Sequence, residues 1–330
     1  MIRLRMIVVL VLALGPLCAQ AAPNAAFVMD ARDGRVLLAE NADTRLHPAS
    51  LTKMMTLYLA LSALEAGDLG PDDIVRVSPA AAATGGASLD LVAGQRITIR
   101  NLVRATAVRS ANDAAVALAE AVAGSEAAFV ERMNATAAAM GLSQTTFRNP
   151  HGLTEAGHLT TARDMSRLGW TLLRSFPAYG HLFSRTTVEI GPRRIAHTNR
   201  RFLSGYAGAD GIKTGYTRAA GFTLTASARR GHKHLIVTVL GAPSSAARTA
   251  RAAALLDWGF ARVAEEVASV PLPRFTFLRP GRPLPLMTAA APLLGARASR
   301  PLVSRDGATA EDRPTALPPG GLPLSAFASR

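Results

Sequence analysis

Cysteine is almost absent from this sequence. Cys18 is the only cysteine, and it lies in an apolar segment near the N terminus. A mature chain that has lost this segment contains no thiol, which excludes disulfides, cysteine-ligated zinc and a cysteine nucleophile. The seven histidines are scattered without the spacing of metal ligands. We therefore expect no metal site and no cofactor.

Lysine is also scarce, although the chain is strongly basic. Lysine and arginine together number 37 against 23 acidic residues, a net charge of +14, and only Lys53, Lys213 and Lys233 are lysines. This charge suits nucleic acid, an anionic envelope polymer or an anionic membrane surface, but a general preference for arginine explains it equally well. The pairs Arg193-Arg194 and Arg200-Arg201 lack interleaved aromatic residues, so we expect no nucleic acid partner.

The first 22 residues are typical of a signal peptide. Arg3 and Arg5 precede an apolar run from Ile7 to Leu17, and Ala19-Gln20-Ala21 supplies the small residues that a signal peptidase reads. The run is too short to cross a bilayer as a helix. We therefore expect export to the periplasm or the cell envelope.

The pattern of apolar residues predicts an α+β domain. Asp33-Gly34 between two short apolar runs is a strong hairpin-turn signal. The other predicted elements are helices over 51–66, within 102–140, over 161–175 and over 246–260, and strands over 212–217, 221–228 and 234–240. We expect one antiparallel sheet made from both ends of the domain, with a helical lobe on its face.

The composition changes near residue 262. Of the 20 prolines, 11 fall between Pro271 and Pro323, which is typical of an extended or flexible segment. The predicted organisation is a signal peptide over 1–22, one folded domain over 23–262 and a Pro-rich extension over 263–330. The extension lacks the sustained apolar face of an interfacial helix, so we expect at most peripheral contact with a membrane.

Ser50-Leu51-Thr52-Lys53 stands at the start of a predicted helix. Residues three apart share a helix face, so the hydroxyl of Ser50 and the amine of Lys53 can form a hydrogen bond. Arginine cannot release its proton in a protein, so a general base in this arginine-rich chain has to be lysine. Burial, together with the charge of Lys213, is expected to lower the pKa of Lys53. This pattern predicts Ser50 as nucleophile and Lys53 as its base.

Ser110-Ala111-Asn112 lies at the mouth of the alanine-rich helices. Alone this motif has little specificity. Beside a serine nucleophile and a lysine base, Ser110 is predicted to relay a proton to a leaving amine. Asn112 is predicted to orient the lysine and the substrate amide.

Lys213-Thr214-Gly215 falls on a predicted strand. Lys213 and Thr214 suit a substrate carboxylate, and Gly215 lets a peptide approach the strand and pair with its backbone. The N–H group of Tyr216 is expected to join that of Ser50 in an oxyanion hole.

Together these motifs resemble those of the D-alanyl-D-alanine carboxypeptidases of the low-molecular-mass penicillin-binding proteins, the S11 serine peptidases. The likeness extends from about Ala26 to Phe260. It includes His47-Pro48-Ala49-Ser50-Leu51-Thr52-Lys53, Ser110-Ala111-Asn112-Asp113, Phe147-Arg148-Asn149-Pro150-His151-Gly152-Leu153 and Asp210-Gly211-Ile212-Lys213-Thr214-Gly215.

The resemblance implies a penicillin-binding/β-lactamase-like transpeptidase fold. It also implies removal of the terminal D-alanine from peptidoglycan stem pentapeptides through an acyl-enzyme on Ser50, and covalent inhibition by β-lactams. Arg248 resembles an arginine that helps hold the substrate carboxylate. Many members have His where this chain has Tyr216, from which we expect altered selectivity. Many also carry a second, β-rich domain and an anchor helix, which the Pro-rich extension does not resemble.

Three other functions remain open. A β-lactamase on the same scaffold needs a carboxylate that activates the deacylating water, and Glu155 and Glu189 lack the sequence context for it. A non-catalytic peptidoglycan-binding or β-lactam-sensing module has no need of a nucleophile and a base together. A D-alanyl endopeptidase shares every motif.

Two further sites are expected to be structural. Asp113 is expected to cap the start of its helix. His232 and His234 alternate to one strand face near a turn, and they are expected to lie on a solvated edge.

Overall fold

One strand pairing, between Ala25–Asp30 and Lys233–Ala242, joins the two ends of the folded chain, which a computed structural model describes over residues 24–269. The predicted signal peptide and residues 270–330 of the predicted extension lie outside the described residues. In chain order the strands are β1 (Ala25–Asp30), β2 (Val36–Glu40), β3 (Ile74–Arg76), β4 (Arg96–Thr98), β5 (Thr187–Ile190), β6 (Arg193–Ala196), β7 (Ala209–Thr217), β8 (Gly221–Arg230) and β9 (Lys233–Ala242). The helices are α1 (Lys53–Ala66), α2 (Pro79–Ala82), α3 (Ile99–Arg104), α4 (Asn112–Ala123), α5 (Glu126–Ala139), α6 (Ala162–Ser175), α7 (Gly180–Ser184), α8 (Arg200–Gly205) and α9 (Ser245–Ser269).

The main sheet has the strand order β2-β1-β9-β8-β7, and every pairing in it is antiparallel. The predicted sheet from both ends of the domain is therefore confirmed. Strand β7, which carries the Lys-Thr-Gly motif, is the edge strand of this sheet. Within residues 24–269 no strand pairs with its outer edge.

Helices pack on both faces of the sheet because side chains alternate along each strand. Phe27 and Met29 of β1 belong to the core shared with the helical lobe. Val28 packs on the opposite face with Leu256 and Phe260 of α9. The two faces thus form two separate apolar cores.

The predicted helices and strands are present, with some differences at their ends. Helix α1 begins at Lys53 because Ala49–Thr52 forms a tighter 3₁₀ turn. The closing helix continues beyond Phe260 to Ser269. The two-stranded sheets β3–β4 and β5–β6 were not predicted, since each strand has only three or four residues.

The expectation of a solvated edge at His234 was wrong. His232 is exposed in the turn before β9, but His234 is only 8% exposed. Its Nε2 lies 3.3 Å from Oδ2 of Asp210. Strand β9 is an inner strand of the sheet, between β1 and β8.

Within residues 24–269, no helix combines the length and the hydrophobicity needed to cross a membrane.

Candidate active site

Ser50 lies in the 3₁₀ turn that leads into α1. Ala49 has a positive φ of 49°, which turns the chain sharply before the serine. Thr52 Oγ1 donates a hydrogen bond to the Ala49 carbonyl at 2.8 Å and lies 2.9 Å from Nε2 of His158. The first contact closes the turn and the second holds it against the segment that follows α5, so together they fix the position of Ser50.

Lys53 is completely buried, and its amine has three oxygen neighbours. Nζ lies 3.1 Å from Ser50 Oγ, 2.6 Å from Asn112 Oδ1 and 2.6 Å from the His151 carbonyl oxygen. Burial lowers the pKa of Lys53 well below the ordinary lysine value, and the charge of Lys213 lowers it further. A lysine in this environment can act as a base.

Ser110 is held in the left-handed region, with φ of 63°, directly after a π-helical turn over Ala105–Arg109. This conformation points its side chain toward β7. Lys213 Nζ donates to Ser110 Oγ at 2.9 Å and to the Thr214 carbonyl at 2.9 Å. The predicted lysines therefore each contact one serine of the site.

Lys213 is also fully buried. Burial lowers the pKa of its amine to about 7, with a further contribution from the charge of Arg248. Arg248 is 7% exposed and lies at the start of α9, where Nη2 donates to Ser245 Oγ at 3.1 Å. Burial lowers the pKa of Arg248 to about 10. Two buried cations thus face the same end of the site.

Asn112 links Lys53 to the loop before β4. Its Nδ2 donates to the Gly85 carbonyl at 2.6 Å, while its Oδ1 accepts from Lys53. Because the two ends of the amide are held by different partners, its orientation is fixed.

The prediction that Asp113 caps its own helix was incomplete. Its carboxylate does accept from the Ala114 N–H group at 2.8 Å. It also accepts from the N–H groups of Leu89 and Leu91, each at 3.0 Å. The main role of Asp113 is therefore to anchor the loop that Asn112 contacts, and sequence offered no sign of these partners 22 and 24 residues away.

Gly215 is required by packing under the site. A Cβ atom at this position would lie 2.5 Å from Thr223 Oγ1, 2.8 Å from the Ser50 nitrogen and 3.0 Å from Ala49 Cβ. Access of a peptide to the strand is the reason expected for this glycine from the sequence. The geometry adds a second reason, since the glycine lets β7 approach the Ser50 turn.

Tyr216 and Thr214 lie on β7, on either side of Gly215. Tyr216 is 56% exposed, and its ring lies 4.3 Å from that of Phe222 on β8. Thr214 Oγ1 donates to Thr198 Oγ1 at 2.9 Å. Tyr216 thus presents an aromatic surface to the cleft, and Thr214 presents a hydroxyl group.

The segment Asn149-Pro150-His151-Gly152 contributes groups that reasoning from single residues missed. Gly152 has φ of 89°, and a Cβ atom there would lie 1.9 Å from the Ala49 carbonyl oxygen. Asn149 Oδ1 accepts from the Gly152 N–H group at 2.7 Å and holds this turn. The only signal in the sequence was the resemblance of this segment to a known family, because a backbone carbonyl carries no side-chain signature.

His151 and His158 are buried near this turn. Burial lowers the pKa of His151 to about 3 and that of His158 to about 4. Both rings are therefore neutral at physiological pH. Across residues 24–269 there is no group of three or more His, Cys, Asp and Glu side chains that could hold a metal ion.

The chain matches the family model of the S11 peptidases, described as D-alanyl-D-alanine carboxypeptidase, over residues 15–244. It is 38% identical over 243 residues to the D-alanyl-D-alanine carboxypeptidase DacF of Bacillus subtilis. The aligned region covers 72% of this chain and 62% of that protein. It is 38% identical over 259 residues to DacA of Escherichia coli, and that aligned region covers 74% of this chain and 64% of that protein. The chain thus spans less than two thirds of the length of these relatives.

Solved structures give the same fold. Penicillin-binding protein D2 of Listeria monocytogenes in its ampicillin-bound form superposes with a TM-score of 0.66 and 32% identity, over 72% of this chain and 96% of that one. The predicted penicillin-binding transpeptidase fold is confirmed by this similarity.

Proposed function

The chain belongs to the D-alanyl-D-alanine carboxypeptidase family, peptidase family S11, and we propose that it removes the terminal D-alanine from peptidoglycan stem pentapeptides through an acyl-enzyme on Ser50. The observation that carries this proposal is the set of contacts of Lys53. A buried amine with depressed pKa lies 3.1 Å from the hydroxyl of a serine at a helix start.

The hydrogen bonds of Lys53 suit the neutral amine. A neutral amine has two N–H donors and one lone pair. Asn112 Oδ1 and the His151 carbonyl oxygen, each 2.6 Å away, accept the two N–H groups. The lone pair is then left for the Ser50 hydroxyl, which donates its proton to Nζ as Oγ attacks the carbonyl carbon of the penultimate D-alanine.

The attack produces an oxyanion and, later, a leaving amine. The N–H groups of Ser50 and Tyr216 are proposed to donate to the oxyanion. The close approach of β7 to the Ser50 turn at Gly215 supports this assignment. Ser110 delivers a proton to the nitrogen of the departing D-alanine, and its hydrogen bond to Lys213 supports that transfer. Water then hydrolyses the ester on Ser50 and restores the enzyme.

The substrate carboxylate is bound at the cationic end of the cleft. Lys213, Thr214 and Arg248 supply two positive charges and a hydroxyl there. A terminal carboxylate is what distinguishes a carboxypeptidase substrate from an internal peptide bond. The stem peptide lies along the edge of β7 in the manner of an added strand.

β-Lactams are proposed as covalent inhibitors. The Listeria relative of this fold was solved with ampicillin and with cefotaxime bound. A β-lactam carries a carboxylate and a strained amide, so it can occupy the same groups and acylate Ser50. The proposed location, after removal of the signal peptide, is the periplasm or the cell envelope, with at most peripheral membrane contact.

The central test uses two reagents on the purified mature chain. A fluorescent penicillin should label the wild type covalently, and a peptide ending in D-Ala-D-Ala should release D-alanine. Ser50→Ala should abolish both signals. Absence of labelling and of D-alanine release in the folded wild type would refute the proposal. A cross-linked D-alanyl dimer, tested in parallel, measures endopeptidase activity.

Replacing Lys53 by arginine separates its proposed role as a base from the effect of its positive charge. Lys53→Arg keeps a positive charge but loses basicity, so its acylation rate should fall about 10²–10⁴-fold, as that of Lys53→Ala does. The measurement is the rate of penicillin labelling, with thermal unfolding to check that each variant is folded. Substantial activity of Lys53→Arg would contradict the role of Lys53 as general base.

A further inference from the structure

Many arginines among the described residues form ion pairs with carboxylates. Six such ion pairs have N–O distances between 2.6 and 3.0 Å: Arg32–Asp30, Arg100–Asp72, Arg163–Asp43, Arg229–Asp210, Arg230–Asp257 and Arg251–Glu40. Three other arginines converge on one cleft away from the Ser50 site. Among residues 24–269, Arg104, Arg185 and Arg194 form no salt bridge with a carboxylate.

The cleft lies between α3, the end of α7 and the β5–β6 hairpin. Its volume is about 440 Å³, and it is lined by Arg104, Arg185, Thr187, Val188, Glu189 and Arg194. Arg104 is the last residue of α3, Arg185 follows α7 and Arg194 lies on β6. Three separate elements therefore deliver a guanidinium group to one space.

The contacts of Arg104 show that the positive charge of these arginines is not balanced by carboxylates. Its Nη1 donates only a long hydrogen bond, 3.3 Å, to the Glu189 carbonyl oxygen. Its Nε is shielded from solvent and has no partner within the described residues. Burial lowers the pKa of Arg104, and the charges of Arg100 and Arg185 lower it further. The protonated guanidinium is thus disfavoured by its surroundings.

Glu189 is the one acidic side chain among the residues that line the cleft. It is exposed, and it stands opposite Arg194 in the β5–β6 ladder without forming a salt bridge with it. Its charge favours protonated Arg104, but the repulsion from the neighbouring arginines opposes it. One exposed carboxylate against three guanidinium groups leaves the cleft positive.

We propose that this cleft binds a phosphate group carried by a larger molecule. Guanidinium groups match phosphate oxygens with paired N–H donors, and a doubly charged anion balances several arginines at once. The volume falls in the range of roughly 300–1,000 Å³ that is typical of small-molecule sites, so it accommodates more than a free ion. The headgroup of an anionic phospholipid and a soluble phosphate ester share this chemistry.

The test measures binding to two probes by the full mature chain, in buffer of moderate ionic strength that screens non-specific attraction. One probe is vesicles of phosphatidylcholine with and without phosphatidylglycerol, and the other is soluble glycerol phosphate. The site variant is Arg185→Gln/Arg194→Gln, since both side chains are exposed and their loss leaves the core intact. Its affinity should fall at least about tenfold, because each hydrogen bond to a charged group contributes on that order.

The control variant is Arg132→Gln/Arg167→Gln. These two arginines are also exposed, each donates to one backbone carbonyl, and the variant loses the same net charge. Unchanged affinity in this control, with loss in the site variant, supports the proposal. Site-dependent binding to vesicles alone identifies the lipid headgroup as ligand, and site-dependent binding of glycerol phosphate identifies a soluble ester.

Two results would overturn the proposal. One is equal loss in both variants, which means that net charge alone attracts the probes. The other is absence of binding to either probe by the folded wild type. Neither result bears on Ser50 acylation, which the penicillin label reports separately.

Discussion

The two buried lysines occupy the same site but need opposite charge states. Lys53 has to be neutral to accept the Ser50 proton, whereas Lys213 has to be charged to hold a carboxylate. Their surroundings also differ. Lys53 is close to a hydroxyl that has to lose its proton, while Lys213 lies toward Arg248, at the end that is proposed to receive the carboxylate.

The pH dependence of acylation follows from this division. As pH rises through the depressed pKa of Lys53, the neutral amine accumulates and kcat/KM should rise. As pH rises through the pKa of Lys213, the cation that binds the carboxylate is lost and kcat/KM should fall. The profile should therefore be bell-shaped, with its alkaline limb below the ordinary pKa of lysine.

Arg248→Gln should move only the alkaline limb. The charge of Arg248 lowers the pKa of Lys213 but is not among the causes that act on Lys53. Its removal should therefore raise the pKa of Lys213 and shift the alkaline limb to higher pH, in addition to weakening substrate binding. The measurement is kcat/KM for D-alanine release across pH, normalised to each maximum. An alkaline limb that stays in place or moves down would contradict this coupling.

At the scale of elements, the site depends on how closely β7 approaches the Ser50 turn. Gly215→Ala places a methyl group 2.8 Å from the Ser50 nitrogen and 3.0 Å from Ala49 Cβ. The strand or the turn has to move, and a displacement of about 1 Å in a catalytic site costs roughly 10²-fold in rate. We expect the rate of penicillin labelling to fall by about this factor while the chain remains folded.

Gly180→Ala is the matched control for this substitution. Gly180 begins α7, has a negative φ, and a Cβ atom there meets no atom within 4 Å. Its labelling rate should equal that of the wild type. If Gly215→Ala labels as fast as Gly180→Ala, the close approach of β7 does not limit acylation.

Asp113 anchors the 85–91 loop that Asn112 contacts, and its charge also affects the pKa of Lys53. Asp113→Asn should weaken the hydrogen bonds to the N–H groups of Leu89 and Leu91 and lower the free energy of unfolding by about 1–3 kcal/mol. The negative charge of Asp113 raises the pKa of Lys53. Its removal should therefore shift the acid limb of the kcat/KM profile to lower pH.

Asp164→Asn separates these two effects. Asp164 is 2% exposed and anchors another loop, through the Gln144 N–H group at 3.0 Å and Thr145 Oγ1 at 2.7 Å. It is not among the groups that act on Lys53. This control should lose stability without a change in the acid limb. A shift of the same size in both variants would show that loop disorder, rather than charge, moves the limb.

These elements also show what could be predicted from sequence. The hairpin at Asp33-Gly34 and the strands β7 to β9 have local turn signals and apolar runs, so the main sheet was predictable. The anchoring of the 85–91 loop by Asp113 and the carbonyl of His151 near Lys53 depend on contacts between distant segments. Such backbone partners leave no pattern in one sequence, and the buried position of His234 depends on which strands surround it.

At the scale of the whole molecule, burial of neutral histidines couples stability to pH. His151, His158 and His197 are all nearly inaccessible, and burial lowers their pKa values to about 3, 4 and 3. His151 and His158 lie in the connection between α5 and α6, and His197 lies in the segment before α8. Each one is neutral in the folded chain at pH values where it becomes charged in the unfolded chain.

The sign of the effect follows from proton uptake. Below the unfolded value near 6.5, the unfolded state binds protons that the folded state does not, so the free energy of unfolding should fall as pH decreases toward 4. Each histidine contributes about 1.4 kcal/mol per pH unit over this range. The stability that these groups provide is therefore fully present above pH 6.5 and is lost on acidification.

His197→Asn tests the contribution of one ring. His197 Nδ1 accepts from the Asn199 N–H group at 2.9 Å, and an asparagine oxygen can replace this acceptor without titrating. Between pH 6 and 4.5, the slope of unfolding free energy against pH should decrease by about 1.4 kcal/mol per pH unit. Chemical denaturation of wild type and variant across this range measures it. His232→Asn, at an exposed turn position, is the control for replacing a histidine that is not buried. Equal slopes in all three proteins would mean that the acid sensitivity comes from the carboxylates rather than from buried histidines.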